Sequence, residues 1–127
     1  MSLIGAPVIR TDAVAKVRGE SIYGVDYVVP GMLHGCLLRS PVPAGMITRL
    51  DTSAAAVMPG VHAVRTSADQ PDTRAGWVLC EQRMFATDRV RYEGEPVAVV
   101  VADSSEQAAA AIAAIDLEID EAPGVDL

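Results

Sequence analysis

The sequence predicts an α+β domain, and three observations carry that prediction. Val97 to Val101 is a short, almost continuously β-branched run that lacks the polar alternation of a half-exposed strand, so it reads as a strand covered on both faces. Directly after it, Asp103 and Ser104 offer N-cap oxygens, with Ser104 and Gln107, or Asp103 and Glu106, at capping-box spacing. The alanine-rich run that reaches Ile115 is therefore expected to be a helix. Finally, the order strand, helix, strand occurs twice, once over 46–51 and 61–66 and again over 96–102 and 116–120.

At 127 residues the chain has the length of one domain and is large enough to bury a core without disulfides or metals. A single domain over 1–127 is expected, with flexible stretches at 1–7 and 67–88. The net charge of -7, with ten scattered basic residues, argues against nucleic-acid binding, which needs a cationic surface. Cys36 and Cys80 lie far apart without CxxC spacing, which suits a reducing compartment. No cationic segment followed by a long apolar one is present, so neither signal peptide nor membrane anchor is expected, and the cytoplasm is the expected location. With one Trp and one Phe beside many alanines and valines, the core has to be built from small aliphatic groups that depend on close fit.

In chain order, Gly5 and Pro7 interrupt any regular pattern before Val8 and Ile9. Thr11-Asp12 can cap a short helix through Ala13, Val14 and Val17 that Gly19 ends. Ile22 to Val28 reads as a broken extended stretch, Pro30-Gly31 as a turn, and Met32 to Arg39 as a strand. Pro41 and Pro43 make 40–43 a rigid connector, because each removes a backbone donor. Gly45 to Asp51 is a strand with Met46, Thr48 and Leu50 alternating against Ile47 and Arg49. A helix from Ser53 to Met58 follows, stopped by Pro59-Gly60, and then a strand from Val61 to Thr66. Ser67 to Asp88 is a long excursion anchored by Trp77-Val78-Leu79 and Met84-Phe85, of a length that is often a binding surface or a disordered segment. Val90 to Tyr92 enters the body, Glu93-Gly94 turns, and the central strand and its helix precede a last strand whose Asp116, Glu118 and Asp120 face water. Two such units can build a two-layer sandwich of ferredoxin-like type. The residues before 45 do not fit that scheme and need a small sheet of their own.

No stretch has the makings of a complete active site. His34 and Cys36 share one face of a strand, but two ligands fall short of the three or four that zinc takes, and His62 stands alone, so surface roles are expected for both histidines. Ser104-Ser105 at a helix start is better explained by capping than by anion binding. Glu95, beside the Gly94 turn, has no visible acid-base partner and is expected to be solvated. Gly31, Gly60 and Gly94 are isolated turn glycines without a phosphate-binding pattern. The alanine helix is unusual: Ala108, Ala111, Ile112 and Ile115 form a core face, while Ala109, Ala110, Ala113 and Ala114 leave the opposite face without charge. Those four residues are the candidate docking face, set against the plainer reading that alanine is the best helix former.

Taken together, several segments resemble the a/b-hammerhead domain at the N-terminus of the large, molybdenum-binding subunit of the aldehyde oxidase and xanthine dehydrogenase family. The large subunit of the aerobic carbon monoxide dehydrogenase type looks most similar. The matching residues are Arg10, Asp12-Ala13, Lys16-Val17 and Gly19, then Tyr23, Asp26 and Pro30-Gly31-Met32-Leu33-His34-Gly35. They continue through Leu38-Arg39-Ser40-Pro41, Ile47, Asp51, Ala54, Pro59-Gly60-Val61 and Asp69 to Asp88-Arg89-Val90, Tyr92 and Gly94-Glu95-Pro96-Val97-Ala98. The chain departs from the pattern at Ile119, where the family commonly has an aromatic nearby, at Ala122-Pro123 in place of Leu-Pro, and around Arg74 to Arg83.

The resemblance implies an α/β-hammerhead fold, two strand-helix-strand units with a small β-hammerhead that accounts for the residues before 45. It also implies a parent oxidoreductase that hydroxylates an aldehyde, a heteroaromatic ring or carbon monoxide with water oxygen. In the family, the loops and the glutamate that serve the molybdopterin centre lie downstream of this region. No catalytic, cofactor-binding or metal-binding residue is therefore carried over, and no cofactor is expected in this chain. The implied partners are the molybdopterin-binding domain of the large subunit and the iron-sulfur and FAD subunits. Neither nucleic acid nor membrane is expected, and self-association in isolation is. The expected role is structural, as a piece of a longer polypeptide or the product of a split gene. The alternative is a free-standing ferredoxin-like regulatory or small-ligand-binding module with 67–88 as a lid.

Overall fold

The computed structural model describes residues 4–5, 7–70, 74–76 and 81–123. The chain divides into two compact units, Met1–Pro30 and Gly31–Leu127. In the first unit, α1 (Ala13–Arg18) ends at Gly19, whose φ of 71° is the left-handed conformation that a side chain would strain. Asp12 occupies the N-cap position without capping through its side chain. Its carboxylate instead accepts from Arg10 Nε and Nη2 at 3.0 and 2.9 Å and pairs with Lys16 Nζ at 2.6 Å. The stretch expected to be extended contains a 3-10 turn, Gly24–Asp26, closed by a hydrogen bond from Tyr23 N to Asp26 Oδ2 at 2.8 Å.

Among its described residues the second unit holds three small sheets. The first is antiparallel and ordered β1 (His34–Arg39), β7 (Pro96–Ala102), β3 (Val61–Thr66), so the β-branched run is the central strand, as the sequence predicts. The second is ordered β6 (Arg89–Val90), β2 (Gly45–Asp51), β8 (Asp116–Glu121). A two-residue ladder, β4 (Arg74–Ala75) with β5 (Gln82–Arg83), forms the third. Helices α2 (Ser53–Ala56) and α3 (Ser105–Ala113) link the sheets.

This topology corrects two expectations. Each strand-helix-strand unit crosses from one sheet to the other, β2 to β3 and β7 to β8, so the strands do not build one ferredoxin-like sheet. The residues before 45 also have no sheet of their own. β1 joins the central sheet, and no described residue before His34 lies in a strand. The small sheet is assembled instead from β2, β6 and β8.

Two apolar clusters explain the arrangement. Ala98 and Val100 of β7 meet Ala55, Ala111 and Ile115, with Leu38, Val61, Val64 and Ile112 at the margin. Val97, on the other face of β7, meets Ala86 and Val90 with Ile47, Leu50, Leu117 and Ile119, which joins the two sheets. Small residues on both sides let the layers approach closely.

A β-bulge decides the inner face of β2. Ile47 pairs with Ile119 and Arg49 with Glu118, so Thr48 is the extra residue, and its hydroxyl donates to the Glu118 carbonyl at 3.2 Å. Beyond the bulge the alternation reverses. Leu50 therefore packs on the same side as Ile47, not with Met46 as regular alternation predicts. Gly45, at the other end of β2, sits where a Cβ would stand 2.5 Å from Ile119 Cγ2 and 2.7 Å from the Asp120 carbonyl oxygen.

The helices and the excursion are more modest than expected. α2 ends at Ala56 rather than Met58. α3 is capped by Ser104, whose hydroxyl accepts from Gln107 N at 3.2 Å. Within 67–88 the described residues carry a 3-10 turn (Ser67–Asp69), the β4–β5 ladder, and the buried pair Phe85 and Ala86. Ala86 N donates to the Pro96 carbonyl at 2.8 Å and Ile47 N to that of Asp88 at 2.9 Å, which ties the return of the excursion to both sheets. The expected anchor Trp77-Val78-Leu79, and Cys80, lie outside the described residues. Among the described residues no helix is long and apolar enough to cross a membrane.

Candidate functional site

The outer face of α3 is the first candidate. Ala108 and Ala111 point into the core and are fully buried, as their spacing predicts. Ala109, Ala110 and Ala113 are exposed and Ala114 is half-buried, so the uncharged face lies open to solvent in this chain. Its only carboxylate neighbour in the first turn is Glu106. Its own backbone N–H first, then the Ser104 and Ser105 side chains, hold that acid below its ordinary 4.5.

The second candidate is the Gly94-Glu95-Pro96 turn. Glu95 was expected to be solvated; it is 6% exposed. Its Oε2 accepts from Arg91 N at 2.6 Å and its Oε1 from Arg91 Nη1 at 3.3 Å, so the carboxylate pins the preceding turn. The same turn is held from across the fold. Arg39 Nη1 donates to the Gly94 carbonyl at 2.8 Å, Ser40 N to the Glu95 carbonyl at 2.9 Å, and Gly94 N to the Ser40 carbonyl at 2.9 Å. Ser40 is itself buried and its hydroxyl donates to the Val42 carbonyl at 2.7 Å. The sequence segments Leu38-Arg39-Ser40-Pro41 and Gly94-Glu95-Pro96 are therefore two halves of one hydrogen-bonded corner. Gly94 suits it because its φ is +83°.

Beside this corner lies a cavity of about 560 Å³. Arg74, Arg83, Arg89, Arg91 and Tyr92 line it together with Gln82 and the carboxylates of Glu81 and Glu95. Sequence reasoning missed this gathering of cations in an acidic chain. The four arginines are scattered along 74–91 and only the return of the excursion brings them to one place. Arg83 Nη1 donates to the Thr87 hydroxyl at 2.6 Å, and Arg91 is engaged by Glu95.

The remaining candidates separate. His34 and Cys36 are half-buried on one face of β1, and Cys36 is a free thiol. His62 is the extra residue of a second bulge, between the pairs Val61–Ala102 and Ala63–Val101. From there it meets Asp103 Oδ1 through Nε2 at 2.6 Å, both side chains about half exposed, a pairing across 41 residues that spacing could not reveal. Among the described residues no group of three or more His, Cys, Asp or Glu could hold a metal ion.

A family model described as aldehyde oxidase and xanthine dehydrogenase, a/b hammerhead domain, matches residues 18–123. This chain belongs to that family. The hammerhead domain is 42% identical over 128 residues to the nicotine 6-hydroxylase large subunit of Paenarthrobacter nicotinovorans, a match covering 94% of this chain and 16% of that protein. Among solved structures it is similar to quinoline 2-oxidoreductase from Pseudomonas putida 86, with 34% identity, a TM-score of 0.81, and coverage of 91% of this chain and 16% of that one. It is also similar to carbon monoxide dehydrogenase from Oligotropha carboxidovorans, with 30% identity, a TM-score of 0.80, and coverage of 94% and 15%. The hammerhead chain thus spans about one sixth of the length of these relatives.

The buried polar groups of the described residues are engaged within the hammerhead domain itself. Among them no buried side-chain polar atom lacks a partner, and the buried carboxylate of Glu95 is already held by Arg91. No step of a molybdenum reaction is assigned to these residues.

Proposed function

We propose that this hammerhead domain is a non-catalytic structural part of the large subunit of a molybdenum-dependent hydroxylase, packed against the molybdopterin-binding body of that subunit. The observation that carries the reading is the pairing of a match over nearly the whole chain with coverage of only 16% of the relative. The oxidation, its molybdopterin centre, and the iron-sulfur and FAD partners that take the electrons belong to the same proposal, as does a cytoplasmic location, which the free Cys36 thiol supports. The outer face of α3, Ala109, Ala110, Ala113 and Ala114, is the proposed contact. An uncharged helix face gains by burial and loses little side-chain entropy on docking.

A full-length chimera tests this, in which the chain replaces the matching segment of the nicotine 6-hydroxylase large subunit. Ala110→Glu with Ala113→Glu is expected to leave the melting of the isolated chain nearly unchanged and to destabilise the chimera. The isolated chain is expected to carry no molybdopterin and to oxidise no aldehyde. Cofactor absorbance that persists through its purification would overturn the reading.

A further inference from the structure

The first unit has no buried core of its own. No described residue from Ile4 to Pro30 is buried. Val17 is 88% exposed, Val25 93% and Val28 80%, and Ile22, Tyr23, Tyr27 and Val29 are all more than half exposed. Single exposed valines are ordinary, but a run in which most side chains from Ile22 to Val29 are large, apolar and open is a patch that marks a contact. A unit of this length without a buried core is also below the size that holds itself together. Its charges balance, Arg10, Lys16 and Arg18 against Asp12, Glu20 and Asp26. Asp12 takes up Arg10 and Lys16 directly, and the whole net charge of -7 therefore resides in residues 31–127.

We propose that residues 7–30 are an apolar strap that packs into an uncharged apolar groove on the molybdopterin-binding body of the large subunit. The proposal rests on the functional reading above and adds a second contact, separate from α3. A neutral strap offers no cationic excess to a phosphate backbone or an anionic lipid surface, so a protein groove is the partner its chemistry fits. A second copy of this chain fits less well, because each brings a net charge of -7 and like charges oppose association. The relatives carry this region within chains about six times as long, which supplies a body large enough to hold such a groove.

Hydrogen exchange on the same full-length chimera, compared with the isolated chain, is the test. Exchange across residues 7–30 is expected to be about a hundredfold slower in the chimera. Val17→Asp, Val25→Asp and Val28→Asp together are expected to leave the melting of the isolated chain unchanged, since these side chains already face water, and to abolish that protection in the chimera. Unprotected 7–30 beside a protected α3 would overturn the strap and leave the functional reading standing. Protection of neither would overturn both. Protection of 7–30 that appears in the isolated chain and grows with its concentration would assign the surface to a second copy and overturn the strap.

Discussion

Glu95 offers the sharpest test of how the fold is held. Replacing it by alanine removes two charge-assisted hydrogen bonds, one to the Arg91 backbone N–H at 2.6 Å and one to its guanidinium at 3.3 Å. Bonds of this class contribute about 1.5–3 kcal/mol each when both groups are buried. The Arg91 side chain is 39% exposed and regains water when released, so its share is discounted, whereas the N–H is left without an acceptor in a part-buried turn. The expected loss for Glu95→Ala is about 2–3 kcal/mol, and a chain of this size should melt roughly 10 °C lower. Glu95→Gln keeps an acceptor for the N–H and loses only the ion pair with a partly exposed arginine, so about 1 kcal/mol is expected. Urea unfolding followed by circular dichroism at neutral pH reads both values. A Glu95→Ala chain within about 0.5 kcal/mol of the parent would refute the idea that this carboxylate pins the corner.

Three further outcomes are expected. Gly45→Ala drives a Cβ against Ile119 Cγ2 and the Asp120 carbonyl, so β2 and β8 have to separate; a loss of about 1–3 kcal/mol in urea unfolding is expected, and a neutral result would refute the close approach. Val100→Ala opens a cavity among Ala55, Ala98 and Ala111, residues too small to fill it, and should cost about 2–3 kcal/mol in the same assay. Asp51, held below its ordinary 3.8 first by the Ser53 hydroxyl, and Asp69, held below it first by the Thr66 N–H, contribute stability that is complete above that value and is lost as pH falls through their lower folded values. The urea midpoint should therefore drop as pH falls from about 3.8 through those lower folded values, and Asp51→Asn with Asp69→Asn should flatten the drop; equal drops in parent and variant would refute the assignment.

Local chemistry makes much of this fold legible in the sequence. The left-handed Gly19 after α1, the Ser104 cap before α3, and the alternation of β8 each depend on neighbours a few residues away. A central strand at 97–101 follows from apolarity on both faces alone. The family resemblance was legible for the same reason, since its most distinctive pieces are turns with narrow backbone requirements. What those turns do was not legible. Leu38-Arg39-Ser40-Pro41 and Gly94-Glu95-Pro96 lie more than fifty residues apart, and only their hydrogen bonds make them one corner and bury Glu95.

Tertiary structure alone decided the rest. A strand-helix-strand pattern is the same in sequence whether its strands share a sheet or cross between two. Here the crossing is set by β7, whose two faces pack against different layers. The bulge at Thr48 is likewise invisible in a pattern of alternating residues, because one added residue reverses which side chains face inward. The gathering of arginines beside Glu95 and the pairing of His62 with Asp103 depend on contacts across the sequence that no spacing encodes. Sequence determined the elements and their caps, through short-range hydrogen bonding and side-chain sterics. Which faces meet, and which apolar side chains are left exposed, was decided by long-range packing.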